Sequence, residues 1–372
     1  MGRRAWWMAV LAVIALAFAG CGGDDDDGGG GGSNSDGGSS SATSGLEGEP
    51  FVLLASAGSQ DLVDGLEASF LKAWEDKTGM DVKPVDTFCC GIDKLKAQVD
   101  ADNVQWTVIN FATVSDFLLA KDAGLLTPID TSVVPVDQLR DGTYDKYGYN
   151  EYRYGAVMGW NSDKYSGSDA PTSLTDLFDT DRFPGKRCMY KYHQFGGTLE
   201  AALLADGVAK EDLYPLDTER AFAKLDTIKD DIVWWDAGSQ AAQYLANGTC
   251  DIGAIWNGVA QSAAGRGSPI DVAWQDGVIT TSVNAIPKNT PNEKAAQLFM
   301  AEQITNREAE AELLKHVAYT VPLKNPVLPA EAKKWAPEGD NASVAVEEDD
   351  DYYFENSADL TKQFNNWLVT GG

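Results

Sequence analysis

Histidine is nearly absent from this 372-residue sequence: there are two, His193 and His316, which argues against a multi-histidine metal centre. Basic residues are scarce as well, 29 Lys and Arg against 57 Asp and Glu, for a formal net charge of −28. Neutralising a phosphate backbone takes clustered Lys and Arg, so the balance argues against a nucleic-acid partner. It equally argues against docking on anionic lipid through a basic face. The acidic surface that remains keeps an exported chain soluble and is compatible with a cationic ligand without demanding one. The sequence has no G-x-S-x-G elbow, no H-E-x-x-H pair and no G-x-x-x-x-G-K loop. Carboxylate pairs such as Asp230 and Asp231 arise by chance in so acidic a chain. His193 reads as a polar residue at a strand end before it reads as a general base. The chain is therefore expected not to be an enzyme and to need neither cofactor nor metal.

No apolar run is long enough to span a bilayer comfortably. The longest, Ala5 to Gly20, covers sixteen residues where about 20 are needed. With Arg3 and Arg4 before it and small residues at its end, it has the make-up of a secretory signal. Phe18, Ala19, Gly20 and Cys21 resemble the lipobox of bacterial lipoproteins. That resemblance implies cleavage after residue 20 and a diacylglyceryl thioether on Cys21, hence an exported protein anchored to the outer face of the cytoplasmic membrane. Residues 21–49 are mostly Gly, Ser and Asp, too poor in apolar side chains to offset the entropy of ordering them, and read as a tether. Folded structure is expected from about Pro50.

Beyond the tether the periodicity changes. Phe51 to Ala55 reads as a short buried strand, and Leu62, Leu66, Phe70 and Trp74 recur every four residues on one helical face, which Gly79 stops. Met80 to Val85 and Trp106 to Phe111 read as strands, and Val114 to Ala123 as a helix. The alternation resumes after Tyr154. Lys186 to Tyr192 and Asp251 to Trp256 read as strands. Asp217 and Asn292 are helix N-caps, and Leu360, Phe364 and Trp367 mark a packed terminal helix. Strand–helix–strand order implies parallel pairing with crossovers, an α/β fold.

Three co-ordered stretches carry a resemblance. Asp251 to Gly258 is continued by Gly267 to Asp271 and Asn284 to Lys288; Phe183 to Arg187 precedes Leu199 to Gly207; Leu213 to Phe222 leads to Trp234 and Trp235. Together they resemble the extracellular solute-binding proteins of ABC importers, in particular the spermidine/putrescine-binding group. The resemblance implies a two-domain type II periplasmic-binding-protein fold with an interdomain cleft and two crossover strands, near residues 155 and 275. Domain 1 is expected to comprise 50–155 and 276–322, and domain 2 to comprise 156–275 and 323–372. It implies a protein that captures a small, polyamine-like solute by hinge closure and delivers it to the permease and ATPase subunits; a monomer is expected by default, as nothing in the sequence indicates oligomerisation. A ligand-sensing receptor component would use the same fold, and a secreted enzyme built on it is a third reading.

Ends of strands feed the cleft in such a fold. The expected ligand-binding residues are Ser56 and Gly58 after the first strand, Phe111 and Thr113 after the third, His193 and Gln194, Ser239 and Gln240, and Trp256 and Asn257. Trp256 leads, because an aromatic there packs on the ligand's methylenes and ammonium groups in polyamine binders. Where that group has acids after the Cys188 strand, this chain reads Tyr192 to Gly196; Asp236 and Asp276 are nearby alternatives, and Lys191 beside His193 would suit an anion. Cys188 and Cys250, on two strands of one expected domain, are expected to form a disulfide. Cys89 and Cys90 either form a vicinal bridge or are free or alternatively paired thiols.

Overall fold

The structure, a computed structural model, describes residues 42–55, 59–87, 92–326 and 328–370. The signal segment, Cys21, Ser56, Gly58, Cys89 and Cys90 lie outside the described residues. Packing begins earlier than Pro50. Leu46, an isolated apolar residue at the tether's end, is buried in the same core cluster as Trp74 and Phe299. Gly48 and Asp81 donate backbone hydrogen bonds to Gly79 and Glu49, fastening this segment to the first α/β unit.

One mixed sheet runs through the molecule among the described residues. Its order is Asp86–Thr87, Leu53–Ala55, Val108–Phe111, Ile270–Pro287, Gly148–Asn161, Ile252–Trp256, Arg187–Tyr190, Ile232–Trp235. The three strands at one end are parallel to one another, as are the three at the other end. Between them lie two long antiparallel strands, Gly148–Asn161 and Ile270–Pro287. Ile270–Pro287 pairs with Val108–Phe111 through Val283 to Ala285, and Gly148–Asn161 pairs with Ile252–Trp256 through Ala156 to Trp160. Each long strand therefore belongs to one lobe at one end and to the other lobe at the other. The register between the two long strands breaks between Ala273 and Val278.

The helices form where their sequence periods dictate. Gln60–Leu66 and Lys72–Thr78 are continuous through one π-helical turn at Glu67–Leu71 and bury Leu62, Leu66, Phe70 and Trp74 on one face. Gly79 closes this helix at φ 66°, a left-handed conformation that costs glycine nothing. The Thr113, Asp217 and Asn292 side chains accept from the backbone amides of Asp116, Arg220 and Ala295 as N-caps. The C-terminal helix Asp350–Thr370 buries Tyr353, Leu360, Phe364 and Trp367 in the core of the second lobe. It also packs on Val114–Asp122 of the first lobe. Cys188 and Cys250 form a disulfide, Cα–Cα 5.6 Å, beside the pairing of Gly253 with Cys188. Among the described residues no helix is long and apolar enough to cross a membrane.

Candidate functional site

Parallel strands end where helices begin, and both lobes point these ends at the same place. A cavity of about 470 Å³ lies there. The first lobe contributes Ser59 and Leu62 at the start of one helix, Asn110 and Ala112 at the end of Val108–Phe111, and Asp116 and Leu119 of the helix that follows. The second contributes Tyr190 to Phe195 without Lys191, then Asp236 just after Ile232–Trp235, and Trp256 at the end of its strand. Tyr152, Tyr154 and Ser282 enter from the long strands, and Tyr319 from the segment after helix Arg307–His316. Ser357, Thr361, Phe364 and Asn365 of the C-terminal helix complete the wall.

Aromatic rings dominate it. Tyr190 lies 5.3 Å from Trp256, 5.5 Å from Phe195 and 4.6 Å from Trp235, centroid to centroid, and Trp235 meets Trp256 edge-on at 5.0 Å. Opposed rings at such spacings hold one another in place. The Trp256 indole N–H donates to the Phe195 carbonyl at 2.8 Å, so its polar handle is spent within the protein and its ring is what it offers the cavity. Tyr154 and Tyr319 pair at 5.3 Å on the crossover side, and the Tyr154 hydroxyl donates to the Ala112 carbonyl.

Among the described lining residues there is neither lysine nor arginine, and there are two carboxylates, Asp116 and Asp236. Lys191 stands over the Tyr192 ring and is ion-paired with Asp236, a hydrogen bond that holds the Asp236 carboxyl below its ordinary range. His193 is neutral near pH 7, because burial pushes its pKa down to about 4. Its Nε2 and the Ser59 hydroxyl are buried and without a hydrogen-bond partner among the described residues. Both residues line the cavity, so a polar solute could complete both.

Behind each end of the cavity lies a buried carboxyl. In the first lobe Glu151 accepts from the side-chain amides of Asn110 and Gln303, and burial pushes its pKa up to about 7. In the second, Glu348 accepts from Gln194 Nε2, the Phe195 amide and Thr280 Oγ1. Burial, then the neighbouring Glu200 and Asp350, pushes its pKa well above the carboxylate range.

Of the expected site residues, Trp256, His193 and Gln194 line the cavity. Five others do something else. Asn257 is wholly buried and clamps the crossover: its Oδ1 accepts from the Gly155 amide, and its Nδ2 donates to the carbonyls of Ala318 and Trp335. Phe111 points into the first lobe's core against Phe117. Thr113 is spent as an N-cap. Gln240 turns back to accept from the amides of Asp236 and Ala237, and Ser239 faces solvent. Each lies within a few positions of a residue that does line the cavity, where alternation along a strand or the first helical turn reverses direction. Asp276 is paired with Lys210 and Ser173, whereas Asp236 is at the cavity. The periodicity of Leu360, Phe364 and Trp367 marks the C-terminal helix as packed, but no local signature assigns that helix or Tyr319 to the cavity.

Residues 69–338 match the family of bacterial extracellular solute-binding proteins. The chain belongs to that family. This solute-binding protein is 32% identical over 294 residues to the gamma-aminobutyric acid-binding protein of Pseudomonas aeruginosa, covering 74% of the chain and 79% of the relative. It is 28% identical to the spermidine/putrescine-binding periplasmic protein of Escherichia coli, over about half of each. Among solved structures, the Atu4243–GABA receptor superposes with a TM-score of 0.76 at 32% identity, covering 86% of this chain and 97% of the other. The binding protein AgtB of A. tumefaciens R10, in complex with agropinic acid, superposes at 0.75 with 26% identity, covering 86% and 99%. The two-lobed α/β architecture is thus that of periplasmic binding proteins, and the protein is a substrate-binding component of an ABC transporter. These relatives are binding proteins, not enzymes.

Proposed function

We propose that this solute-binding protein takes up a small solute through its ammonium group, closing both lobes about it and presenting the closed form to an importer's permease. The single observation that carries the reading is the chemistry of the cavity wall: packed aromatic rings and two aspartates, with no lysine or arginine among its described residues. An aromatic face attracts an ammonium through its quadrupole, by about 0.5–2 kcal/mol. A carboxylate in the same cavity would meet no fixed positive charge among the described lining residues, an expensive arrangement for a desolvated anion. The relatives named for GABA and for spermidine/putrescine share the amine as a chemical group. The finer assignment of polyamine against amino acid turns on the solute's other end. Attachment through an acylated Cys21 would keep the protein beside its permease.

Thermal unfolding and calorimetry of the exported chain carrying Cys21→Ser test this. Putrescine, spermidine or GABA should raise Tm, since a ligand that binds only the native state stabilises it by mass action. Trp256→Ala should weaken that ligand by about 3- to 30-fold, the loss of one cation–π contact. A shift with glutarate and none with any amine would overturn the reading.

A further inference from the structure

Glu348 lies 154 residues beyond Gln194 in the sequence, yet the fold sets it directly behind that cavity residue. Val346–Glu347 pairs in parallel with Val278–Ile279, just past the register break, and the Glu348 amide donates to the Ile279 carbonyl at 2.8 Å. The side chain is thereby fixed against the loop 193–195 of the second lobe. One of its oxygens accepts from Phe195 N at 3.2 Å; the other accepts from Gln194 Nε2 at 3.2 Å and Thr280 Oγ1 at 3.3 Å. Gln194 is 7% exposed and lines the cavity. Its amide has two ends of opposite character, and Glu348 takes the donor end. Among the described residues no donor reaches the Oε1 end.

We infer that Glu348 is a positioning residue for ligand selection, turning the Gln194 amide so that its oxygen serves the cavity as an acceptor. This rests on the amine reading above and deepens it: the second-lobe end of the cavity selects a hydrogen-bond donor because a carboxyl oxygen behind it has claimed the amide's NH2. A neutral amide can be turned either way at little cost, so a buried acceptor is needed to decide which way it points. The backbone N–H of Phe195 has no such freedom.

That asymmetry makes the test specific. In Glu348→Gln the new side chain keeps one oxygen and gains one NH2. The oxygen must stay with the fixed Phe195 N–H, so the NH2 faces Gln194. Gln194 then reverses, its oxygen accepting from the introduced NH2 and its own NH2 turning to the cavity. Hydrogen bonds are retained while the cavity end changes from acceptor to donor. The double variant Glu348→Gln/Gln194→Glu restores an acceptor there without restoring the carboxyl behind it.

The experiment is calorimetry and thermal unfolding of the full exported chain (with Cys21→Ser) and both variants, using putrescine, GABA and glutarate as probes. The expected result is that Glu348→Gln weakens the amine that the parent binds by roughly tenfold or more, the scale of a hydrogen bond to a charged group. Its affinity relative to glutarate should fall with it, the unliganded Tm should stay within a few degrees, and the double variant should recover amine binding. A uniform loss across probes with a large fall in Tm, or an unrescued double variant, would overturn the inference and leave the amine reading standing. A parent that binds glutarate and no amine would overturn both.

Discussion

Glu151 sits on a crossover strand with 1% of its surface exposed, held by the amides of Asn110 and Gln303 rather than by a cation. Burial pushes its pKa up to about 7 against the lowering effect of those donors. The folded chain therefore keeps a proton that the unfolded chain releases near pH 4.5. Its contribution is fully present below that pH and is lost as pH rises through 7. His193 has the opposite sign: with its pKa lowered to about 4, the folded state resists a proton the unfolded state takes, and stability falls as pH drops from 6.5 toward 4. The two slopes partly cancel in the parent protein and separate in a variant. Glu151→Gln, uncharged at every pH, should gain on the parent by about 2–3 kcal/mol between pH 5 and pH 8, read from urea midpoints at each pH. A difference that stays constant over that range would show that Glu151 does not titrate there. Nothing near Glu151 in the sequence marks its importance, because the donors around it come from elements far apart along the chain.

Elements are far easier to read from sequence than the directions of their side chains. The four-residue spacing from Leu62 to Trp74, the stop at Gly79 and the N-caps at Asp217 and Asn292 are local, and local rules suffice for them. Cavity residues at strand ends, such as Trp256 and Gln194, are accessible through the rule that parallel strands end at the site. Phe111 and Asn257 fail under that same rule, since a strand alternates faces and a helix's first residue can turn inward to the crossover. The C-terminal contribution is hidden for a different reason: Glu348, Ser357 and Thr361 reach the cavity region by tertiary packing alone. The disulfide tests the assembly of the second lobe. Cys188 and Cys250 are 62 residues apart in sequence and enclose the helices Thr198–Ala205, Thr218–Asp226 and Gly238–Ala246. Closing a loop of that length in the unfolded chain is worth about 4 kcal/mol in the chain-entropy account. Cys188→Ala/Cys250→Ala should lower the free energy of unfolding by that order, measured by urea titration. Ligand affinity should stay within about twofold, because neither cysteine lines the cavity. An unchanged midpoint would mean the bridge is absent in the folded protein.

At the scale of the whole molecule, the long strands and the net charge act together. Gly148–Asn161 and Ile270–Pro287 leave the cavity between lobes that these strands, helix contacts and the C-terminal segment connect, the arrangement from which a hinge is made. Charge then governs how a solute arrives. The chain carries 57 acidic against 29 basic residues, and the resulting field attracts cations from beyond contact distance. Screening shortens that reach from about 30 Å at 0.01 M salt to about 8 Å at 0.15 M. Association of an amine should therefore slow as salt is added, while dissociation, set by contacts inside the cavity, should change little. The charge of the solute multiplies the effect, so the logarithm of the association rate for putrescine should fall about twice as steeply with ionic strength as that for butylamine. Stopped-flow tryptophan fluorescence can follow both, because Trp256 lines the cavity and Trp235 packs against it. Equal slopes for the two amines would mean that the acidic surface plays no part in capture and that the selection of cations is made wholly by the cavity wall.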